Sequence, residues 1–224
     1  MTLDILREEK EALHYFLAQL LGEHLQKTDR EEILPFEGMM HEPFWPALLH
    51  YWLSPKGDFD WDSLKKLDPT ASGRDFSNKH YALLQDRGQL ILRKHSKKAE
   101  QKQHIERETS YLEEPVALHL EFIPAEAAKI NPDPACAYLD AEKLEFPLKL
   151  RRWQEGDRFV PLGMKGEKKL SDFFTDQKMS RFDKESQWLL CCGTKIVWIV
   201  GQRIDERFKV TESTKTVYFV RLLK

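Results

Sequence analysis

The sequence predicts an α+β protein, with a small helical N-terminal domain followed by a mixed, strand-rich C-terminal domain. Leucines recur at helical spacing near the start, whereas short apolar runs bounded by turns dominate from residue 104 onward. A polar and charged stretch at 94–107 separates the two patterns and is interpreted as a linker. We therefore expect a mainly helical domain over 1–96 that ends in a hairpin, and an α+β domain over 104–224.

The first helix is predicted from five leucines spaced three, four and seven residues apart, which share one helix face and are expected to pack in the core. They are Leu6, Leu13, Leu17, Leu20 and Leu21. The polar stretch from Gly22 to Arg30 is expected to end this helix.

Two further helices and a hairpin complete the first domain. A helix is expected over 43–53 with a proline in its first turn, and Asp60 or Asp62 can cap a short helix ending near Leu67. The apolar runs at 81–84 and 89–93 flank the turn Asp86-Arg87-Gly88, which predicts a hairpin.

Strands dominate the second domain. They are expected at 116–123, 135–140, 148–153, 188–192, 196–200 and 217–222. The runs 188–192 and 196–200 are almost continuously apolar, so we expect a hairpin that is buried on both faces. A short helix over 169–176 would place Leu170, Phe173 and Phe174 on one face.

Composition excludes several classes of protein. Hydrophobic residues make up 41% of the chain and charged residues 32%, as in an ordinary soluble globular protein. The apolar runs are far shorter than the roughly 20 residues of a membrane span, and the start lacks the apolar core of a secretory signal. Three cysteines, of which Cys191 and Cys192 are adjacent, make no disulfide framework. We expect a cytoplasmic protein with no membrane association.

No catalytic constellation is visible in the sequence. It has no Walker-type loop, no dinucleotide-binding fingerprint and no Gly-x-Ser-x-Gly elbow, and no spacing completes a zinc site. The adjacent cysteines lie in an apolar run that favours a core role over a nucleophile. Asp172 and Asp176 lie four residues apart, where helix capping and charge balance are favoured over a catalytic pair. We expect no catalytic residue and no metal site.

Charge is concentrated in one segment. The chain has a net charge of −2, but 149–181 contains nine basic and five acidic residues, a charge of +4, which leaves −6 for the rest. A localised phosphate-binding surface has this pattern, and so does a solvated charged loop. Charge alone therefore leaves both interpretations open.

The residue types in 150–174 suit a folded RNA that is recognised by its shape and phosphates. Arginines grip phosphates through planar forks, and the glycines at 156, 163 and 166 let the backbone approach a ligand closely. Trp153 can stack on a base, although a core position is the commoner case. Five apolar residues are expected to pack and hold the loop: Phe159, Leu162, Leu170, Phe173 and Phe174.

Eight cations are predicted to contact nucleic acid. They are Arg151, Arg152, Arg158, Lys165, Lys168, Lys169, Arg181 and Arg203. Of these, Lys168 and Lys169 also stand just before a predicted helix, where free amides and the helix dipole favour an anion.

The run LRRWQEGDRFVPLGMKGEKKLSDFF at 150–174 resembles the C-terminal domain of bacterial tRNA(Ile)-lysidine synthetases. That family has an Arg-x-x-x-Gly-Asp-Arg stretch before Pro-Leu-Gly-Met and a Lys-Lys-Leu-x-Asp-Phe-Phe helix. The segment 196–210 is similar to its closing hairpin, and 72–76 and 86–92 are similar to its middle, substrate-binding domain. The resemblance is strong over 147–210 and weaker before residue 70.

This resemblance implies a role in tRNA modification. The family uses ATP to ligate lysine to an anticodon cytidine of tRNA(Ile), in an N-terminal domain with a Ser-Gly-Gly-x-Asp-Ser loop that is missing here. The chain thus looks like the C-terminal portion, which binds the tRNA acceptor stem and helps to place the tRNA. It implies tRNA(Ile) as partner and no cofactor in this chain, with ATP and magnesium expected for the catalytic domain.

Two other functions stay open. One is a protein-interaction module of the same ancestry without RNA binding, which would use its acidic N-terminal region. The other is a small-molecule enzyme whose site the sequence does not reveal. The sequence also leaves open a homodimer.

Overall fold

The structure is a computed structural model that describes residues 2–68, 70–95 and 102–223. The chain divides into two compact units, residues 1–97 and 98–224. The predicted α+β class is confirmed, since helices accompany several antiparallel sheets. The predicted linker at 94–107 includes residues 96–101, which lie outside the described residues. The segment Gln103–Ile105, also assigned to that linker, is instead a strand.

In its described residues, the first unit contains three α-helices and a five-stranded antiparallel sheet in the order β1-β2-β5-β4-β3. Its elements are α1 Thr2–His24, β1 Gln26–Lys27, β2 Glu31–Pro35, α2 Trp45–Leu53, α3 Trp61–Leu64, β3 Arg74–Ser77, β4 Tyr81–Asp86 and β5 Gln89–Lys94. The predicted hairpin is confirmed as β4 and β5, and the turn between them places Arg87 and Gly88 at φ 45° and 73°. Such angles match the twist of a two-residue hairpin turn.

The predicted short helices are confirmed, with local sequence signals at their starts. α2 has Pro46 in its first turn, where a missing amide hydrogen costs nothing. Asp60 begins α3, because its carboxylate accepts hydrogen bonds from the amides of Asp62 and Ser63 at 3.2 and 3.3 Å.

Only the C-terminal part of α1 packs in the core of the first unit. Leu17 is 3% exposed and Leu20 and Leu21 are partly buried, as predicted. The same prediction was wrong for Leu6 and Leu13, which are 56% and 46% exposed. The leucines share a helix face, but the core of this unit meets only the last turns of the helix.

The described residues of the second unit form two larger antiparallel sheets, a two-stranded ladder and two short α-helices, besides short 3-10 segments. Its elements are β6 Gln103–Ile105, β7 Tyr111–Leu112, β8 Leu118–Pro124, β9 Cys136–Asp140, β10 Leu148–Arg152, β11 Arg158–Phe159, β12 Lys168–Lys169, α4 Leu170–Asp176, α5 Arg181–Ser186, β13 Trp188–Cys192, β14 Lys195–Ile199, β15 Arg203–Ile204 and β16 Thr216–Leu222. The sheet orders are β15-β14-β13-β10-β6 and β7-β8-β16-β9, and β11 pairs with β12. The six predicted strands and the helix at 169–176 are confirmed.

The sheet that contains β10, β13 and β14 has an apolar cluster on each face, because alternate residues of a strand point to opposite sides. One cluster contains Leu150 and Leu190, together with residues of the four-stranded sheet. The other takes Leu189, Cys191 and α4. The predicted hairpin buried on both faces is therefore confirmed. Among the described residues, no helix is long and apolar enough to cross a bilayer.

Candidate nucleic-acid interface

Residues 158–169, here called the 158–169 hairpin, carry half of the predicted binding cations. Strands β11 and β12 pair Arg158 with Lys169 and Phe159 with Lys168, and 160–167 form the loop between them. Phe159 is fully buried, and its ring meets that of Phe173 edge-on at 5.2 Å. The hairpin is thus anchored on α4 by the predicted aromatic packing. Arg158, Lys165 and Lys169 are exposed, whereas Lys168 pairs in the ladder with Phe159 and is partly buried.

Asp205 holds the base of the loop. Its carboxylate is fully buried and accepts hydrogen bonds from the amide of Val160 at 2.9 Å and from Arg207. The Arg207 guanidinium contributes two of those bonds, from Nε at 2.9 Å and Nη2 at 2.8 Å. This hydrogen bonding raises the pKa of Arg207 against the opposing effect of burial. The pair therefore fixes the entry of the chain into the loop.

The tip of the loop is fixed by three backbone donors. The amides of Leu162, Gly163 and Met164 donate to Ile204 O at 3.2 Å, Glu206 Oε2 at 2.7 Å and Pro161 O at 2.9 Å. The hydrogen bond from Gly163 is the main reason why the pKa of Glu206 is lowered. Gly163 has φ 87°, a conformation that favours glycine.

Two apolar side chains of this tip face solvent. Leu162 is 42% exposed and Met164 is 45% exposed. The prediction that Leu162 helps to pack the loop was therefore wrong. The loop is held from inside by Asp205 and Glu206, so it does not need an apolar anchor at its tip.

The cations of the hairpin differ in their partners. Lys165, Lys169 and Arg203 are exposed, and no ion pair joins them to a carboxylate within the part of the chain that the structure describes. Arg158 lies 3.7 Å from Glu167, and Lys168 pairs with Asp176. Arg203 lies beside the hairpin in the fold, because the carbonyl of Ile204, the next residue of β15, accepts the amide of Leu162 at 3.2 Å.

Arg151 is bound within the fold. Its side chain is 14% exposed and donates to both oxygens of Asp157, at 2.7 and 2.8 Å. This hydrogen bonding raises the pKa of Arg151, although burial opposes the rise. The carbonyl of Asp157 in turn accepts the amide of Leu170 at 2.8 Å. Arg151 therefore positions the chain that leads into the hairpin.

The remaining predicted cations lie elsewhere. Arg152 is on the opposite face of the sheet from Arg151, with its guanidinium carbon 3.9 Å from the ring centre of Trp188. Arg181 lies on α5 and pairs with Glu185 at 3.2 Å. The structure thus gathers Arg158, Lys165, Lys168, Lys169 and Arg203 around one hairpin, while contact with RNA stays a prediction for all eight residues.

Several other candidates are part of the packing. Trp153 packs edge-on against Phe174 at a ring distance of 5.4 Å. Cys191 is buried, and this burial raises the pKa of its thiol to about 11, so the thiol is neutral near pH 7. Asp176 pairs with Lys168, in line with a charge-balancing role. Within the described ranges, no group of three or more His, Cys, Asp or Glu residues is placed to hold a metal ion.

Asp205, Glu206 and Arg207 were not predicted as part of this site. The local sequence signal of these residues is that of a capped turn. Asp205 stands at the start of the turn, and its side chain accepts a hydrogen bond from the amide of Arg207. Their effect on the hairpin depends on Val160, which is 45 residues away in sequence. Residue spacing cannot show such a long-range contact.

The 158–169 hairpin lies within a part of the chain that matches a known protein family. Residues 148–221 match the family model described as "TilS substrate C-terminal domain". A tRNA(Ile)-lysidine synthase of Parabacteroides distasonis is 45% identical over 152 residues, which cover 67% of this chain and 35% of the relative. One of Bacteroides thetaiotaomicron is 33% identical over 195 residues, which cover 86% of this chain and 43% of the relative. The chain spans less than half the length of these curated relatives and matches their C-terminal part.

Among solved structures, a crystal structure of a TilS C-terminal domain has a TM-score of 0.43 and 19% sequence identity. That comparison covers 53% of this chain and 88% of the other. The geometric likeness is weak, and the family match depends on sequence.

Proposed function

We propose, from the premise that the chain carries the C-terminal domain of tRNA(Ile)-lysidine synthases, that it binds and positions tRNA(Ile) for the lysine-attaching reaction of such an enzyme. The 158–169 hairpin carries this proposal, because it lies inside the matched range and displays cations on a fixed backbone. The expected setting is the cytoplasm, where tRNA is modified.

The catalytic step is assigned to no residue of this chain. ATP and magnesium would serve the lysine-attaching reaction, but the sequence has no Ser-Gly-Gly-x-Asp-Ser loop to hold the nucleotide. The acidic residues near the hairpin do not fit a magnesium site either, since Asp205, Glu206 and Asp176 are already bound by Arg207, Lys209 and Lys168. The role proposed for the chain is binding and orientation of the RNA.

The ion pairs at the hairpin are compatible with phosphate binding. Arg158 and Glu167 are 46% and 53% exposed, whereas in the second pair Asp176 is 59% exposed and Lys168 only 26%. An exposed pair such as Arg158–Glu167 contributes only about 0–1 kcal/mol, so a phosphate can replace that carboxylate at little cost. Lys165, Lys169 and Arg203 need no such exchange. Together these groups offer a cluster of positive charge to the backbone of a folded RNA.

A triple variant tests this proposal. Replacing Lys165, Lys169 and Arg203 with alanine should weaken binding of a tRNA(Ile) transcript and reduce the slope of log K against log salt by about 1 for each lost phosphate contact. Fluorescence anisotropy at several salt concentrations measures both quantities. An alanine triple variant of Lys102, Lys129 and Lys215, which are exposed lysines outside the hairpin, is the matched control. Equal affinity and slope in both variants would contradict the proposed site.

The alternative of a protein-interaction module has one observation in its favour. Six large hydrophobic residues between positions 3 and 16 of α1 are exposed: Leu3, Ile5, Leu6, Leu13, Tyr15 and Phe16. Failure of the unmodified chain to bind tRNA at low salt, together with a dimeric mass in sedimentation equilibrium, would favour this alternative and a homodimer.

A further inference from the structure

The tip of the 158–169 hairpin presents a pair of apolar side chains, Leu162 and Met164, on either side of Gly163. Among the described residues of the second unit, four large apolar side chains are exposed: Tyr111, Ile130, Leu162 and Met164. Only Leu162 and Met164 are close together in sequence. Isolated exposed apolar residues are common on protein surfaces, whereas a pair at the tip of a charged loop calls for an explanation.

This exposure is built into the backbone. Three successive amides, at residues 162–164, donate hydrogen bonds of 2.7–3.2 Å. Those of Leu162 and Gly163 reach Ile204 and Glu206 outside the hairpin, and that of Met164 closes a turn onto Pro161. Apart from its two chain neighbours, a Cβ added at Gly163 would have no atom within 4 Å, so no other part of the fold lies against the tip at this point. The backbone that carries the pair is thus held in one conformation, which lowers the conformational entropy lost when the tip contacts a ligand.

Positive charge surrounds this apolar pair. Lys165 follows Met164 directly, and Arg158, Lys168 and Lys169 lie on the two strands of the hairpin. The hairpin itself contains one carboxylate, that of Glu167, which lies 3.7 Å from Arg158 and 3.8 Å from Arg207. The carboxylate of Glu206, which accepts the amide of Gly163 at 2.7 Å, is paired with Lys209. A ligand that covers the tip therefore needs an apolar face with negative charge around it.

RNA offers this combination at particular places. The side of an A-form duplex presents phosphates, riboses and base edges, which give aliphatic side chains little apolar area. The flat face of a base is accessible at the end of a stack or at an unpaired nucleotide, with phosphates close by. Leucine and the polarisable thioether of methionine both pack well on such a face.

We propose that Leu162 and Met164 pack on the exposed face of a terminal or unpaired base of the bound RNA, while the cations of the hairpin hold the adjoining phosphates. This inference rests on the proposed function and deepens it. If Leu162 and Met164 pack in this way, the tip of the hairpin distinguishes RNA that has an exposed base face from the side of a duplex.

The test uses stem–loop RNAs in which 2-aminopurine, a base whose fluorescence reports stacking, replaces a terminal base, an unpaired base or a base inside the stem. Binding of the unmodified chain should change the fluorescence of the terminal or the unpaired probe and leave the interior probe unchanged. The responding probe identifies which kind of base is covered.

The double variant Leu162→Ser, Met164→Ser should abolish that change and weaken binding roughly tenfold, as expected for the loss of one stacked base. The salt slope should stay the same, because no phosphate contact is lost. The matched control is Tyr111→Ser, Ile130→Ser, two exposed apolar residues of the same unit. Circular dichroism verifies that both variants are folded, and the two single serine variants give a second measurement.

The outcomes separate the inference from the proposed function. An unmodified chain that binds no RNA would overturn the proposed function itself. An unmodified chain that binds RNA, together with a double variant of equal affinity and equal fluorescence response, would overturn the inference alone. A response from the interior probe only would also overturn it, because base faces inside a stem are covered.

Discussion

At Arg151, both terminal nitrogens of the guanidinium donate to Asp157, and each side chain of the pair is 14% exposed. Asp157 also accepts the amide of Gln154 at 2.7 Å. Because these groups are largely withdrawn from water, removal of one partner leaves the other with a poorly solvated charge. Arg151 therefore acts on the proposed RNA-binding surface through the position of the hairpin.

We predict that Arg151→Ala lowers the free energy of unfolding of the second unit by about 1.5–3 kcal/mol, the range for a hydrogen bond to a charged group. Urea denaturation followed by tryptophan fluorescence measures this loss. Lys165→Ala, which removes an exposed cation, should leave the free energy of unfolding unchanged within about 0.5 kcal/mol. A loss of RNA affinity in Arg151→Ala without loss of stability would instead indicate direct phosphate contact.

The sequence predicted a basic segment at 150–174, but neither its two-stranded hairpin nor the separate roles of neighbouring residues. Adjacent residues of a strand point to opposite faces, so Arg151 and Arg152 cannot serve one surface of β10. That consequence was available from the predicted strand. The contact of Asp205 with Val160 was not, since it joins residues 45 positions apart.

At the scale of elements, the helices and strands with a regular spacing of apolar residues or a clear capping residue were predicted correctly. The runs of β13 and β14 and the buried face of α4 follow from apolar spacing alone. The sequence did not indicate β2, because it contains two glutamates and a proline. Its place in the sheet comes from pairing with β5, a partner far along the chain. Short polar strands of this kind depend on tertiary contacts more than on local preference.

The helix α1 contains leucines on one face that differ in burial, so their contributions to stability can be compared within the same helix. We predict that Leu17→Ala lowers the free energy of unfolding of the first unit by roughly 2–5 kcal/mol, as for other buried leucines. Leu6→Ala in the same helix should change it by less than about 0.5 kcal/mol, because Leu6 is 56% exposed. Denaturation followed by circular dichroism compares the two variants. Equal losses would show that a further contact covers the start of the helix.

At the scale of the whole molecule, the charge distribution limits where RNA can bind. The chain has a net charge of −2, and residues outside 149–181 account for −6. The acidic remainder repels a polyanion, whereas the hairpin attracts it over distances of about one Debye length, roughly 8–10 Å at ordinary salt. Binding should therefore be local and oriented.

We predict that the association constant for tRNA falls with a slope of about −3 to −5 in log K against log salt, since five clustered cations each release about 0.7–0.9 counterions. Affinity should then drop by roughly 60- to 1000-fold between about 50 and 200 mM salt. Filter binding over this range gives the slope. A slope near zero would show that phosphates are not held by these cations.

The buried carboxylate of Asp205 affects what a mutational screen of this chain would find. It accepts hydrogen bonds from Val160 and Arg207, and through them it supports the tip of the hairpin. A saturation screen for loss of function would therefore show Asp205 to be as intolerant of substitution as the cations that face solvent. Substitutions of Asp205 would be harmful because the loop loses its shape. An RNA-binding surface inferred from such a screen would therefore include residues that do not contact the RNA themselves.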